Sequence, residues 1–114
     1  MVARNSLLTT PPYAVEQTLK RLGGNLRTAR LRRNLTVDDV AQKIGTGRRA
    51  VIDAEKGKPS ATVATYAALL WAFDLLSQLD VVADPVRDTE GSALALSHGR
   101  ERARPASGGL SDDF

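Results

Sequence analysis

Two adjacent arginines, Arg48 and Arg49, carry the most suggestive chemistry in this 114-residue chain. They follow Gly45-Thr46-Gly47 and open a stretch in which Ala50, Val51 and Ala54 recur at helical spacing. A guanidinium is a planar array of donors that matches guanine O6 and N7, or the oxygens of a phosphate. Thr46 and Gly47 add a hydroxyl and backbone N–H groups at a helix start, which suit a phosphate. Ile52 is placed to touch a thymine methyl or to pack on a neighbouring helix. Asp53 shares the outward face, where a carboxylate repels a polyanion unless it accepts from a cytosine amino group. Arg27, Arg32, Arg33, Lys43, Lys56 and Lys58 flank this stretch as candidates for phosphate contacts or for plain solvated surface.

Other chemistries find little footing. His98 is the single histidine and stands beside Gly99, with nothing that places it near a nucleophile. Asp38-Asp39 and Asp112-Asp113 are adjacent pairs, and neighbours on a helix do not converge on one point. No glycine-rich run is followed by Lys-Ser/Thr, and no His/Asp/Glu cluster has metal-ligand spacing. No enzyme activity, metal or cofactor is therefore expected. Cysteine is absent, which rules out disulfides and thiolate sites. No apolar run approaches the roughly 18 residues of a membrane span, and no signal-peptide core opens the chain. The expectation is a cytoplasmic protein without a membrane partner.

The net charge of +3 conceals an asymmetry. Residues 20–58 hold 11 Lys or Arg against 4 Asp or Glu, a local charge of +7, while the remainder carries −4. A basic stretch coinciding with a pair of short helices suits a nucleic acid.

The elements that position the arginines follow from period and caps. Thr36 can cap a helix whose first turn holds Asp38 and Asp39, where the helix dipole favours negative charge. Val37, Val40, Ala41 and Ile44 fall on one face, and Gly45 ends the helix. The second helix starts after Gly47 and closes at Gly57. Small Ala41 lets the two cross closely. Upstream, Val15, Leu19, Leu22, Leu26, Ala29 and Arg33 define a helix interrupted by Gly23-Gly24, a weak point or a break, ending near Asn34 in a left-handed conformation. Pro12 suits its first turn. Downstream, Pro59 blocks continuation from Gly57 and Thr62 caps a further helix. Its predicted buried stripe is Val63, Tyr66, Ala67, Leu70 and Phe73, with Leu69 and Trp71 on the flanks; Tyr66 and Trp71 are read as core or dimer contacts. Asp74 marks a break before a last short helix over Leu75, Leu76, Leu79 and Val82.

The expected architecture is all-α with five helices: a flexible N-terminus over 1–11, a helix-turn-helix domain over 12–84 and a C-terminal tail over 85–114. In the tail, one or two helical turns around Ala93, Leu94 and Leu96 are possible. Residues 97–114 are rich in charge, Gly, Ser and Pro and are expected to be disordered when free.

The run ARLRRNLTVDDVAQKIGTGRRAVIDAEKG resembles the helix-turn-helix of the Xre, or lambda-repressor-like, family. Arg30, Leu35-Thr36, Ala41, Gly45 and Glu55-Lys56-Gly57 match its pattern. The resemblance implies a salt bridge between Arg30 and Glu55 that ties the first helix to the third. Three departures stand out: Val37 where the family often has Gln, Gly47 where Ser or Thr usually caps, and Ile52-Asp53 at outward positions. A narrower resemblance covers VATYAALLWAFDLLSQLDVVADPVRDTEGSALA, which is similar to the C-terminal part of HipB-like antitoxins. It implies a homodimer that represses its own operon, binds an inverted-repeat operator in double-stranded DNA and holds a HipA-like Ser/Thr kinase toxin inactive. Asp88, Glu90, Leu94 and Leu96 are then the candidate toxin contacts. A stand-alone Xre regulator, and an interaction module that has lost DNA binding, are the alternatives.

Overall fold

The computed structural model describes residues 5–103. They form α1 (Ser6–Thr9), α2 (Tyr13–Arg32), α3 (Val37–Ile44), α4 (Arg48–Glu55), α5 (Val63–Ala72), a 3-10 segment (Leu76–Val81) and α6 (Thr89–Ala103). No strand occurs among the described residues. The chain divides into two compact units, residues 1–79 and 80–114. The all-α class agrees with expectation, but there are two helices beyond the five. One is α1, inside a stretch expected to be flexible; the Asn5 side chain accepts from the Leu7 N–H and starts it. The other is α6.

In the first unit, α2 runs unbroken through Gly23-Gly24, so of the two expectations the single helix holds and the break does not. Gly23 is there for contact with another element. A Cβ at this position would lie 2.5 Å from the Glu55 carbonyl oxygen and 2.6 Å from that of Ala54. The last turn of α4 therefore lies backbone to backbone on α2. Gly57 completes the contact: its φ is 71°, and a Cβ there would run into the Leu19 carbonyl. Pro12 stands just outside α2 as its N-cap, not within the first turn. Asn34, φ 55°, takes the expected left-handed conformation after α2.

The caps of the two short helices follow the sequence closely. The Thr36 hydroxyl accepts from the Asp39 N–H, and the Asp39 carboxylate accepts in return from the Thr36 N–H. The Thr36 N–H donating to the carboxylate, with the Thr36 hydroxyl beside it, lowers the Asp39 carboxyl in pKa. Gly45 ends α3 with φ 79°, and Gly47 precedes α4 in an extended conformation. Thr62 caps α5 by accepting from the Thr65 N–H.

The core joins Leu26 of α2, Val40 and Ala41 of α3, Val51 and Ala54 of α4, and Tyr66, Leu69, Leu70, Ala72 and Phe73 around α5. Here the predicted stripe of α5 needs correction. Leu69 is fully buried, whereas Val63 is 75% exposed and Trp71 is 53% exposed. A helix that is apolar nearly all round carries no periodicity to say which face turns inward. Tyr66 is a core residue, and burial pushes its phenol upward in pKa. Asp74, φ 61°, breaks α5 as expected, and the segment after it is 3-10 rather than α.

Arg30 and Glu55 tie α2 to α4. Arg30 Nε and Nη2 donate to Glu55 Oε2 and Oε1 at 2.7 and 3.0 Å, and Nη1 donates to the Leu35 carbonyl at 2.8 Å. The two side chains are only 9% and 8% exposed.

In the second unit, Asp88 Oδ1 accepts from the Gly91 N–H at 2.9 Å and starts α6. This 15-residue helix is longer than the one or two turns expected, and it carries residues 97–103 out of the predicted disordered tail. Ala, Leu, Arg and Glu are strong helix formers, so the charge that suggests disorder is also compatible with a helix. Residues 104–114 lie outside the described part.

Two predictions follow from this packing. Gly23→Ala is expected to destabilise the protein by about 1–3 kcal/mol through overpacking, although alanine is the better helix former. Gly24→Ala, where a Cβ meets nothing within 4 Å, stabilises it by about 0.4–1 kcal/mol. Urea denaturation of the two variants reads the opposite signs. Glu55→Met or Arg30→Met alone costs about 3–5 kcal/mol by stranding a buried charge or its partner carbonyl, and the double Met variant regains most of that. Additive losses in the double variant contradict a coupled pair.

Candidate nucleic-acid interface

Helices α3 and α4 pack on each other and join through the turn at residues 45–47. The turn is closed on α3, since the Gly45 and Thr46 N–H groups both donate to the Ala41 carbonyl, at 3.0 and 2.9 Å. Thr46 therefore has its hydroxyl, but not its amide, available for a phosphate. Gly47 is exposed and leaves the approach to the helix start open. Val51 and Ala54 hold α4 in the core, which turns its amino-terminal residues outward.

The two arginines emerge at that end, with side chains 61% exposed for Arg48 and 73% for Arg49. Their settings differ. Arg48 Nε donates to Asp38 Oδ1 of α3 at 3.1 Å. Arg49 Nη1 stands 4.0 Å from Asp53 Oδ1, one turn along its own helix. Exposed ion pairs of this kind contribute at most about 1 kcal/mol to stability.

Asp53 departs from the expected outward position. Its side chain is only 22% exposed and lies between Arg49 and Lys58, whose Nζ is 3.3 Å away. The two cations offset its charge without a hydrogen bond to Oδ1, which reduces the repulsion expected of an acid facing a polyanion. Lys58 is engaged in the same pair. Ile52 is half-buried.

Two of the expected phosphate contacts are committed elsewhere. Arg33 Nη1 donates to the Ala29 carbonyl at 2.9 Å and Nη2 to the Phe73 carbonyl at 3.0 Å. Its guanidinium also lies 5.5 Å from the Phe73 ring centroid. Lys43 Nζ is 3.5 Å from the Ala72 carbonyl and 5.7 Å from the Trp71 ring centroid. Both cations therefore meet the carboxyl end of α5, where unpaired carbonyls and the helix dipole favour positive charge. This role depends on contacts 29 to 40 residues apart in sequence, so no local pattern announces it. Arg27, Arg32 and Lys56 are exposed, and none shows an ion pair among the described residues.

Asp38 is the functional candidate that sequence reading missed. Its place in the first turn of α3 explains it as a dipole partner, and only the crossing of α3 and α4 brings it to Arg48. In the second unit, the Asp88 carboxylate is taken up in starting α6, while Glu90, Leu94 and Leu96 are exposed. The described residues hold no cluster of three or more His, Asp or Glu able to hold a metal ion, and no helix among them is long and apolar enough to cross a membrane.

Comparison with curated proteins and with solved structures gives no match to this chain. Residues 26–75, from within α2 to just beyond α5, match the family model described as Helix-turn-helix.

Proposed function

We propose that this chain is a homodimeric, sequence-specific DNA-binding repressor, with α4 as the helix that enters the major groove by its amino-terminal end. One observation carries the reading: Arg48 and Arg49 stand exposed at the start of the second helix of a helix-turn-helix, within a stretch of local charge +7. In this mode α3 crosses the DNA backbone, the exposed Thr46 hydroxyl and the start of α4 meet a phosphate, and Arg27, Arg32 and Lys56 extend the contact along the strand. A two-fold dimer places two α4 helices on an inverted repeat, with half-sites about 34–36 Å apart or a multiple of it.

The narrower reading is an antitoxin that also binds a HipA-like kinase. What favours it over a stand-alone regulator is the second unit, where α6 carries Leu94 and Leu96 at 52% and 67% exposure beside Glu90. Two positions apart on a helix, the leucines face different sides, so each offers a partner a separate apolar contact. The degenerate-module alternative draws on Val37, which packs at the edge of the core and offers no polar group to DNA.

A gel shift on DNA upstream of the gene tests the first reading. The wild-type protein is expected to shift a specific fragment, and the Arg48→Ala/Arg49→Ala double variant to lose that shift. With about six phosphates neutralised by a dimer, log affinity against log salt has a slope near −5. A full-strength shift by the double variant removes α4 from the interface. For the second reading, the tagged chain is co-expressed with the product of the adjacent gene. Co-purification that is lost in Leu94→Glu/Leu96→Glu, while the DNA shift persists, is the expected result. Absence of any complex leaves the stand-alone regulator.

A further inference from the structure

We propose that Asp38 is a positioning residue that makes Arg48, and not Arg49, the base-reading arginine of the interface. The inference rests on the DNA-binding reading above and divides roles that this reading leaves shared.

The hydrogen bond from Arg48 Nε to Asp38 Oδ1, 3.1 Å, uses one of the five guanidinium N–H donors. It leaves Nη1 and Nη2 at the free end of the fork. Those two nitrogens match guanine O6 and N7 side by side. An exposed arginine otherwise samples many rotamers and must be ordered when it binds. A side chain already held in one orientation loses less on binding.

The backbone that carries the brace is fixed. Asp38 sits in the first turn of α3, which is locked by the reciprocal Thr36–Asp39 hydrogen bonds and anchored by buried Val40 and Ala41. With side chains 76% and 61% exposed, the Asp38–Arg48 pair adds little to folding. Orientation is the effect it can have. Arg49 has no equivalent brace. Its nearest carboxylate oxygen is 4.0 Å away, and Lys58 approaches that oxygen more closely, at 3.3 Å. A guanidinium free to swing suits a phosphate, which accepts donors over a wide range of directions.

Asp38 also brings a negative charge close to the DNA backbone. Its removal therefore has two effects of opposite sign. Repulsion of every DNA sequence falls, and the ordering of Arg48 is lost. A carboxylate that acts only through its charge produces the first effect alone.

The test measures binding of the full chain, by fluorescence anisotropy, to a site obtained from randomised oligonucleotides and to unrelated duplex. Arg48→Ala identifies the guanine that it reads. Asp38→Ala is expected to tighten binding to unrelated duplex severalfold while reducing preference for that guanine by up to about fivefold. Asp38→Asn, whose amide oxygen still accepts from Nε, retains most of the preference. In an Arg48→Ala background, Asp38→Ala alters no base preference. Arg49→Ala weakens binding to all sequences alike and lowers the salt slope of the dimer by about 2, one phosphate contact being lost from each subunit. Two outcomes overturn the assignment: undiminished guanine preference in Asp38→Ala, or loss of that preference on removing Arg49 instead of Arg48. A wild-type chain that selects no sequence at all overturns the proposed function and this inference with it.

Discussion

The contact of α2 with the carboxyl end of α4 is the constraint from which the rest of the first unit follows. An α-helix of eight residues has too few internal hydrogen bonds to persist alone. Both α3 and α4 are of that length. Their existence depends on what they pack against, and for α4 that is α2 and the α3–α5 pair. Gly23 removes the side chain that would separate the two backbones, and the two-pronged Arg30–Glu55 ion pair fixes the end of α4 in direction as well as in place. Because the carboxyl end of α4 is clamped, its amino end can stand open without costing the fold its definition. The exposed arginines are a consequence of that division.

Charge is distributed by the same logic. The basic stretch of residues 20–58 resembles a uniform electrostatic face when read as a sum. The structure divides it. Arg30 is an internal strut, Arg33 and Lys43 terminate α5, and Lys58 offsets the charge of Asp53. Lys20, Arg21, Arg27, Arg32, Arg48, Arg49 and Lys56 are exposed and have no such role, and Arg33, Lys43 and Lys58 are exposed as well. The Asp53 carboxylate, held between two cations, opposes an approaching phosphate less than a free one would.

The second unit obeys a different rule. None of its residues from 80 to 99 is buried, and α6 is started by one carboxylate rather than held by a core. A helix of that kind gains most by burying its leucines against something else. Its composition is consistent both with a solvated helix and with a docking segment, and this is why the two readings of the chain diverge at this unit.

Much of the first unit was legible in the sequence because it is determined by local chemistry. A hydroxyl at Thr36 or Thr62 can satisfy a free amide one turn ahead whatever surrounds it, and a glycine at position 45 reaches a left-handed turn without a steric penalty. The Arg30–Glu55 pair was accessible through family resemblance, not through spacing. What tertiary structure alone decided are the questions that depend on which backbone passes near which. The glycines at 23 and 24 read identically in sequence, yet only one faces another helix. The apolar run of α5 does not specify its inward face, and packing turned Leu69 in and Trp71 out. Arg33, Lys43 and Asp38 each took partners on a different helix. Caps and turns are contacts between near neighbours and so are written in residue order; the partner of a long side chain is set by the crossing of helices, which residue order does not contain.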